Sequence, residues 1–237
     1  MYLSFIAGVA LIITGMVIST WKQKLTPSAA VTGAALALLI FVGTGFGGLC
    51  LLASFFVLGV TATSWQLNRK IKSGLAENEL GKRNARQVVA NAGVPAILAL
   101  LAILGMGDVA VLQLMIAASF SAAAADTVSS ELGNIYGSRY YDILSLRKSV
   151  RGANGAVSWQ GTIAGIIGST FVAFVYCACA GWSLKKLLLI IVAGTIGNIA
   201  DSILGTTLEN KRILGNNAVN FLNTAIAALA TFILYRM

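Results

Sequence analysis

Residues 28–64 read SAAVTGAALALLIFVGTGFGGLCLLASFFVLGVTATS, and not one of them is charged. Two apolar runs, 28–44 and 47–64, flank the glycine cluster Gly43-Thr44-Gly45-Phe46-Gly47-Gly48. Each run approaches the ~20 helical residues that cross a hydrocarbon core roughly 30 Å thick. Glycine tolerates the backbone angles of a sharp reversal. The stretch therefore predicts two membrane-crossing helices joined as a tight hairpin.

Six more segments of similar length and polarity follow the same reading: 2–20, 88–105, 109–127, 157–180, 184–204 and 217–235. The first has no basic stretch before it and no small-residue cleavage site after it, so it reads as a retained helix rather than a signal peptide. Hydrophobic residues make up 57% of the 237-residue chain and charged residues 11%, with a mean hydropathy of +0.84. A soluble domain carries about 25% charged residues. The expected architecture is an all-α polytopic bundle of about eight transmembrane helices, forming one integral membrane domain over residues 1–237.

The net charge of +9 does not indicate nucleic-acid binding, because the cations occupy short loops between apolar runs. Fourteen of the seventeen Lys and Arg fall in one set of loops, and only Lys185, Lys186 and Arg236 in the other. The positive-inside rule assigns the rich set to the cytoplasm and both termini to the outside. The long loops 65–87 and 128–156 lie on the cytoplasmic side. Cys50, Cys177 and Cys179 sit in apolar segments, where they read as small hydrophobes, and histidine is absent. Chemistry that needs a histidine base or ligand is excluded.

Of eight acidic residues only Asp108 falls on the outer side. Asp126 and Asp201 end apolar segments, where an ionised carboxylate needs a partner. Their contexts match: Ala125-Asp126-Thr127 and Ala200-Asp201-Ser202, each followed by a Gly/Asn-rich element, 152–158 and 215–220. Ala62-Thr63-Ser64 with Asn91-Ala92-Gly93 is a fainter third copy. The matching helices run in the same direction, which reads as a parallel internal repeat. Asp201, Gly205 and Glu209 are four residues apart and share a helical face, flanked by Asn198 and Ser202.

Carboxylates from neighbouring helices suit a hard cation such as Mg²⁺, which takes oxygen ligands and commonly retains substrate phosphates. Asp126, Glu131 and Asp201 are the candidate metal-binding and catalytic groups. Arg86 and Arg151 precede polar helix starts, where backbone N–H groups and guanidinium forks bind phosphate. Asn91, Asn154, Ser158, Ser202, Asn217 and Asn220 are the accompanying candidates for phosphate or acceptor binding. Lys70 and Lys72 read as topology anchors. The set suggests phosphoryl or nucleotidyl transfer to a lipid phosphate, driven by positioning and charge neutralisation.

Residues 124–133, AADTVSSELG, resemble the signature of the transmembrane protein 19 family, which includes plant and cyanobacterial phytyl-phosphate kinases. Similar blocks are Arg86 to Gly93, Gly152 to Gly155 with Ser158 and Gly161, Asp201 to Gly205, and Asn216 to Asn220. Glu209 stands where the pattern has glutamine, and Val128 where it has Trp. The resemblance implies a kinase that uses CTP, or ATP, and Mg²⁺ to convert an isoprenyl monophosphate such as phytyl or geranylgeranyl phosphate to its diphosphate. A CTP:lipid-phosphate cytidylyltransferase would use nearly the same residues, and a transporter of a small anion or lipid is the remaining class. Gly161, Gly165 and Gly168 read either as a bed for the prenyl chain or as plain helix packing.

Overall fold

The computed structural model describes residues 2–75 and 81–237. Its helices are α1 (Tyr2–Trp21), α2 (Pro27–Ser64), α3 (Leu67–Lys72), α4 (Ala85–Ile103), α5 (Val109–Tyr136), α6 (Trp159–Ala180), α7 (Leu184–Leu204) and α8 (Asn216–Arg236). A two-stranded antiparallel ladder, β1 (Tyr141–Asp142) with β2 (Ala156–Val157), lies between α5 and α6. Among the described residues, seven helices are long and apolar enough to cross a membrane. The second is two crossings, because α2 folds back on itself.

Gly45 breaks α2 with a positive φ of 69°. A straight helix of this length would hold its ends about 55 Å apart. Instead the Lys24 ammonium, just before α2, donates to the Ser64 hydroxyl at its end, 2.9 Å away. Gly48 faces Ile40 and Thr44 so closely that an added Cβ would collide with both. The predicted hairpin is present, and the bundle has eight crossings. The start of α1 and the end of α8 therefore lie at the same end, opposite the loops that follow α5 and α7.

Helix α5 occupies the centre and packs against α2, α4, α6, α7 and α8. Ala117, Ala118 and Ala122 to Ala125 are all fully buried, and their small side chains let neighbouring backbones come close. An added Cβ at Gly165 would meet the Ala125 carbonyl oxygen at 3.0 Å, and one at Gly168 the Ala124 carbonyl oxygen at 3.2 Å. On α7, a Cβ at Gly197 would meet Ala122 at 2.6 Å. The glycine row of α6 is thus helix packing against α5 and leaves no bed for a lipid chain. Hydroxyls supplement this packing, as expected between helices in lipid. Ser119 donates to the Thr224 carbonyl at 3.0 Å.

Two expectations are corrected, one a helix boundary and one a helical spacing. The fifth helix continues past 127 to Tyr136, so residues 128–136 of the expected loop 128–156 are helical and Glu131 belongs to α5. It stops where the Tyr140 hydroxyl donates to the carbonyls of Gly133 (2.7 Å) and Gly137 (3.1 Å). Residues 205–209 follow α7 as one π-helical turn, so Asp201, Gly205 and Glu209 do not form a regular α-helical row. In the loop 65–87, Glu77 and Glu79 fall outside the described residues.

Overpacking a tight interface costs about 1–3 kcal/mol. Gly165→Leu is expected to lower the thermal midpoint of the purified protein in detergent. Gly15→Ala, with nothing within 4 Å of the added carbon, should not lower it, since alanine also favours the helix. Equal midpoints would show that the α5–α6 approach is not limiting.

Candidate active site

The ends of α5 and α7, the starts of α4, α6 and α8, and the loop 137–158 enclose a polar cavity of about 450 Å³. Helices α5 and α7 run toward this end, and α4, α6 and α8 run away from it. A polar residue placed late on a descending helix therefore meets polar residues placed early on ascending ones. Of the eleven candidates from sequence, Asn91, Asp126, Glu131, Asn154, Ser158, Asp201, Ser202 and Asn220 line the cavity. Arg86, Arg151 and Asn217 do not.

Asp126 and Asp201 face one another across the α5–α7 contact, with their carboxyl groups within hydrogen-bonding reach. Two carboxylates so close repel unless a proton or a cation lies between them. The fully buried Asn223 of α8 donates its amide to the Asp201 carboxylate at 3.0 Å, which fixes that carboxyl's orientation. The Asn223 carboxamide oxygen is buried with no hydrogen-bond partner among the described residues. Beside the pair, the Ser129 hydroxyl donates to the Asn198 carboxamide oxygen at 3.2 Å, tying α5 to α7 a second time. The donor set is all oxygen. Among the described residues, no group of three His, Cys, Asp or Glu side chains could hold a metal. Two carboxylates fit an ion that leaves several positions to water or phosphate, as Mg²⁺ does.

Glu131 has a different partner. Its carboxylate forms a 2.5 Å ion pair with Lys70, which is wholly buried. The same ammonium donates to the carbonyls of Thr63 (2.6 Å) and Ala62 (3.1 Å) at the end of α2. The anchor reading of Lys70 is overturned: its three donors join α2, α3 and α5. Nothing in local sequence distinguishes Lys70 from its neighbour Lys72, because the partner is sixty-one residues away.

Arg83, and not Arg86, lines the cavity. Arg83 is 8% exposed, passes beneath Gly59 and lies over the Phe55 ring at 5.1 Å. Its backbone pairs with the chain ahead of α2, through Lys24 and Thr26. Arg86 is exposed on the first turn of α4. That helix start is already closed by a reciprocal Asn84–Gln87 capping box. Further along α4, Pro95 withholds the usual helical hydrogen bond from the Asn91 carbonyl, close to the cavity.

The loop over the cavity is well braced. Gly155, with φ at +75°, lies against the Ser202 carbonyl and Thr206. Ser158 caps α6 by accepting from the Gly161 N–H at 3.2 Å. Arg151 has its Nε and one terminal nitrogen buried without a hydrogen-bond partner among the described residues. Those two nitrogens form one edge of the fork that binds phosphate or carboxylate. Burial pushes the Tyr140 hydroxyl above its ordinary range, and the nearby Arg151 charge partly opposes this. Asp142 accepts from the Ser145 N–H and hydroxyl, the Thr206 hydroxyl and the Leu144 N–H. These bonds, the Ser145 pair foremost, hold its carboxyl below the usual carboxylate range.

The integral membrane protein DUF92 family matches residues 10–228. The chain belongs to that family, as its motifs indicate. It is 30% identical over 238 residues to Protein VTE6, chloroplastic, of Arabidopsis thaliana, covering 98% of this chain and 69% of the relative. It is also 30% identical over 226 residues to an uncharacterized membrane protein of Methanocaldococcus jannaschii, covering 95% and 92%. Protein PGR of Arabidopsis thaliana is 27% identical over 271 residues, covering 94% of each chain. No solved structure matches.

Removing one partner of a buried ion pair costs about 3–5 kcal/mol, because the other charge is stranded. Lys70→Met should destabilise the protein by that order, and adding Glu131→Gln should restore much of it, read by denaturant unfolding in detergent. Additive losses would refute the pairing. A carboxyl held low contributes stability that is fully present above the unfolded value, near pH 4, and is lost as pH falls through the folded value. Pepsin digestion across pH 2–5 should open the 137–158 loop only at the acid end, and Asp142→Asn should abolish that step.

Proposed function

We propose that the protein is a lipid-phosphate kinase that transfers the terminal phosphoryl group of CTP, or ATP, to an isoprenyl monophosphate such as phytyl or geranylgeranyl phosphate. The observation that carries this reading is the facing Asp126–Asp201 carboxyl pair at the wall of a polar cavity at the cation-rich end of a membrane bundle. The family resemblance supplies the substrate class. By the positive-inside rule the cavity opens to the cytoplasm, where nucleotide is available.

Asp126 and Asp201 would hold Mg²⁺, while Glu131 lines the cavity with its carboxylate paired to Lys70. The ion's part is to neutralise charge on the transferring phosphoryl group. Arg83, Arg151 and Asn154 bind the phosphates, while Asn91, Ser202 and Asn220 orient the acceptor. Arg151, Asn217 and Arg86 all stand outside the cavity lining; of the three only Arg151 has a buried guanidinium edge without a partner among the described residues, and the other two have no role in the transfer.

In the transfer, an acceptor phosphate oxygen forms a bond to the terminal phosphorus of the nucleotide. The bond from that phosphorus to its bridging oxygen breaks, and the nucleoside diphosphate leaves with the electron pair. A phosphate monoester brings an anionic oxygen and needs no base to deprotonate it, which suits a chain without histidine. The protein's contribution is alignment of the two phosphates in the polar cavity.

Purified protein with Mg²⁺, CTP and geranylgeranyl monophosphate is expected to yield the diphosphate and CDP, read by mass spectrometry of lipid and nucleotide together. Asp126→Asn and Asp201→Asn should each lower turnover at least ~10²-fold with folding retained, the order expected for loss of a charge-stabilising group. A CDP-lipid with pyrophosphate would instead identify a cytidylyltransferase. Full activity in both variants would remove the carboxyl pair from the mechanism.

A further inference from the structure

A second cavity, of about 360 Å³ and almost wholly apolar, lies between α1, the two arms of α2 and the start of α4. At one end it shares Arg83, Gln87 and Asn91 with the polar cavity. From there it follows the second arm of α2 back to Phe46, about 15 Å beyond Phe56 at 1.5 Å per residue. The two cavities thus join at one cationic, amide-bearing rim, polar on one side and apolar on the other.

The glycines of this groove differ from those elsewhere in the bundle. An added Cβ at Gly15 meets nothing within 4 Å, and one at Gly33 meets only the Val88 methyl at 3.8 Å. At Gly165 and Gly197 the same atom would strike a neighbouring helix. Small residues at 15 and 33 therefore leave space between helices and do not close it. Helix α1 has only Gly8 and Ser19 buried along its length. Gly8 sits on the Phe41 ring, Ser19 lies near the opposite end, and the groove runs between these two contacts.

We propose that this groove holds the hydrocarbon chain of the isoprenyl monophosphate, entering sideways past α1, and that Gly15 and Gly33 keep the space it occupies open. The proposal rests on the lipid-phosphate reading of the polar cavity. Arg83 stands where the chain ends and the phosphate begins. An occupant anionic at one end and apolar along about 15 Å matches the pair of cavities.

The full-length protein, reconstituted in nanodiscs, is photolabelled with a C20 isoprenyl monophosphate carrying a diazirine at the chain terminus, and labelled peptides are mapped. Labels are expected on α1 and on α2 near Phe46, and excess unlabelled C20 monophosphate should remove them. Labels on α6 or α7 instead would overturn the proposal. So would groove labels that resist competition and are matched by a diazirine-tailed phospholipid, since bulk lipid would then be the occupant. In parallel, Gly33→Leu and Gly15→Leu should raise KM for the C20 substrate at least ten-fold, with KM for nucleotide unchanged. Unchanged C20 KM in both variants would also overturn it. Competed groove labelling without turnover would uphold the chain site and reject the kinase reading. Turnover with labels elsewhere would do the reverse.

Discussion

The close approach of α5 to α6 and α7 is the constraint on which the other features depend. In lipid no hydrophobic effect draws helices together, so packing must supply the attraction. A run of alanine on α5 meets glycine on both neighbours. Bulkier residues would push the helices apart, and Asp126 would no longer reach Asp201. Ser129 and Asn198 mark the same short separation from the polar side. The site is thus a product of small residues placed elsewhere on the same helices.

Charge is distributed unevenly around this centre. Glu131 is matched inside the protein by Lys70, and three backbone or side-chain acceptors surround that ammonium. Its location, at the junction of the α2 hairpin with α5, fixes the wall of the cavity as the α5–α7 contact fixes its floor. Asp126 and Asp201, by contrast, share one site and look to each other and to Asn223. One acidic group is structural in its immediate partner, while the other two form a close pair that needs a proton or a cation between them.

Membrane insertion, the eight crossings and the reversal at Gly43–Gly48 were legible because each is a matter of composition over many residues. The carboxylates were legible because a charge at the end of an apolar run has few reasons to be there. Arg83 and Lys70 were not. Several cations crowd 69–86, and which ones turn inward depends on how the loop is pinned to Lys24 and Thr26. Local sequence carries no record of that pairing. The α5 boundary was missed because polarity was taken as the end of a helix. Here polar residues 126–131 stay helical, as they face a cavity and a buried cation instead of lipid. Asn223 was hidden for a related reason: it lies mid-helix among apolar residues, and only the proximity of α7 gives its amide a task.

The π-helical turn at 205–209 has a further consequence, for rotational register. It accommodates one residue more than an α-helical turn would. Each residue turns an α-helix by about 100°. Deleting a single residue there would make the end of α7 regular, yet would swing Glu209 around the axis and carry Thr206 away from Asp142. Ordinary sequence change can substitute residues within this turn. A change in its length would re-aim everything between α7 and α8 at once, so the spacing of this segment is as much a part of the site as the residues that line it.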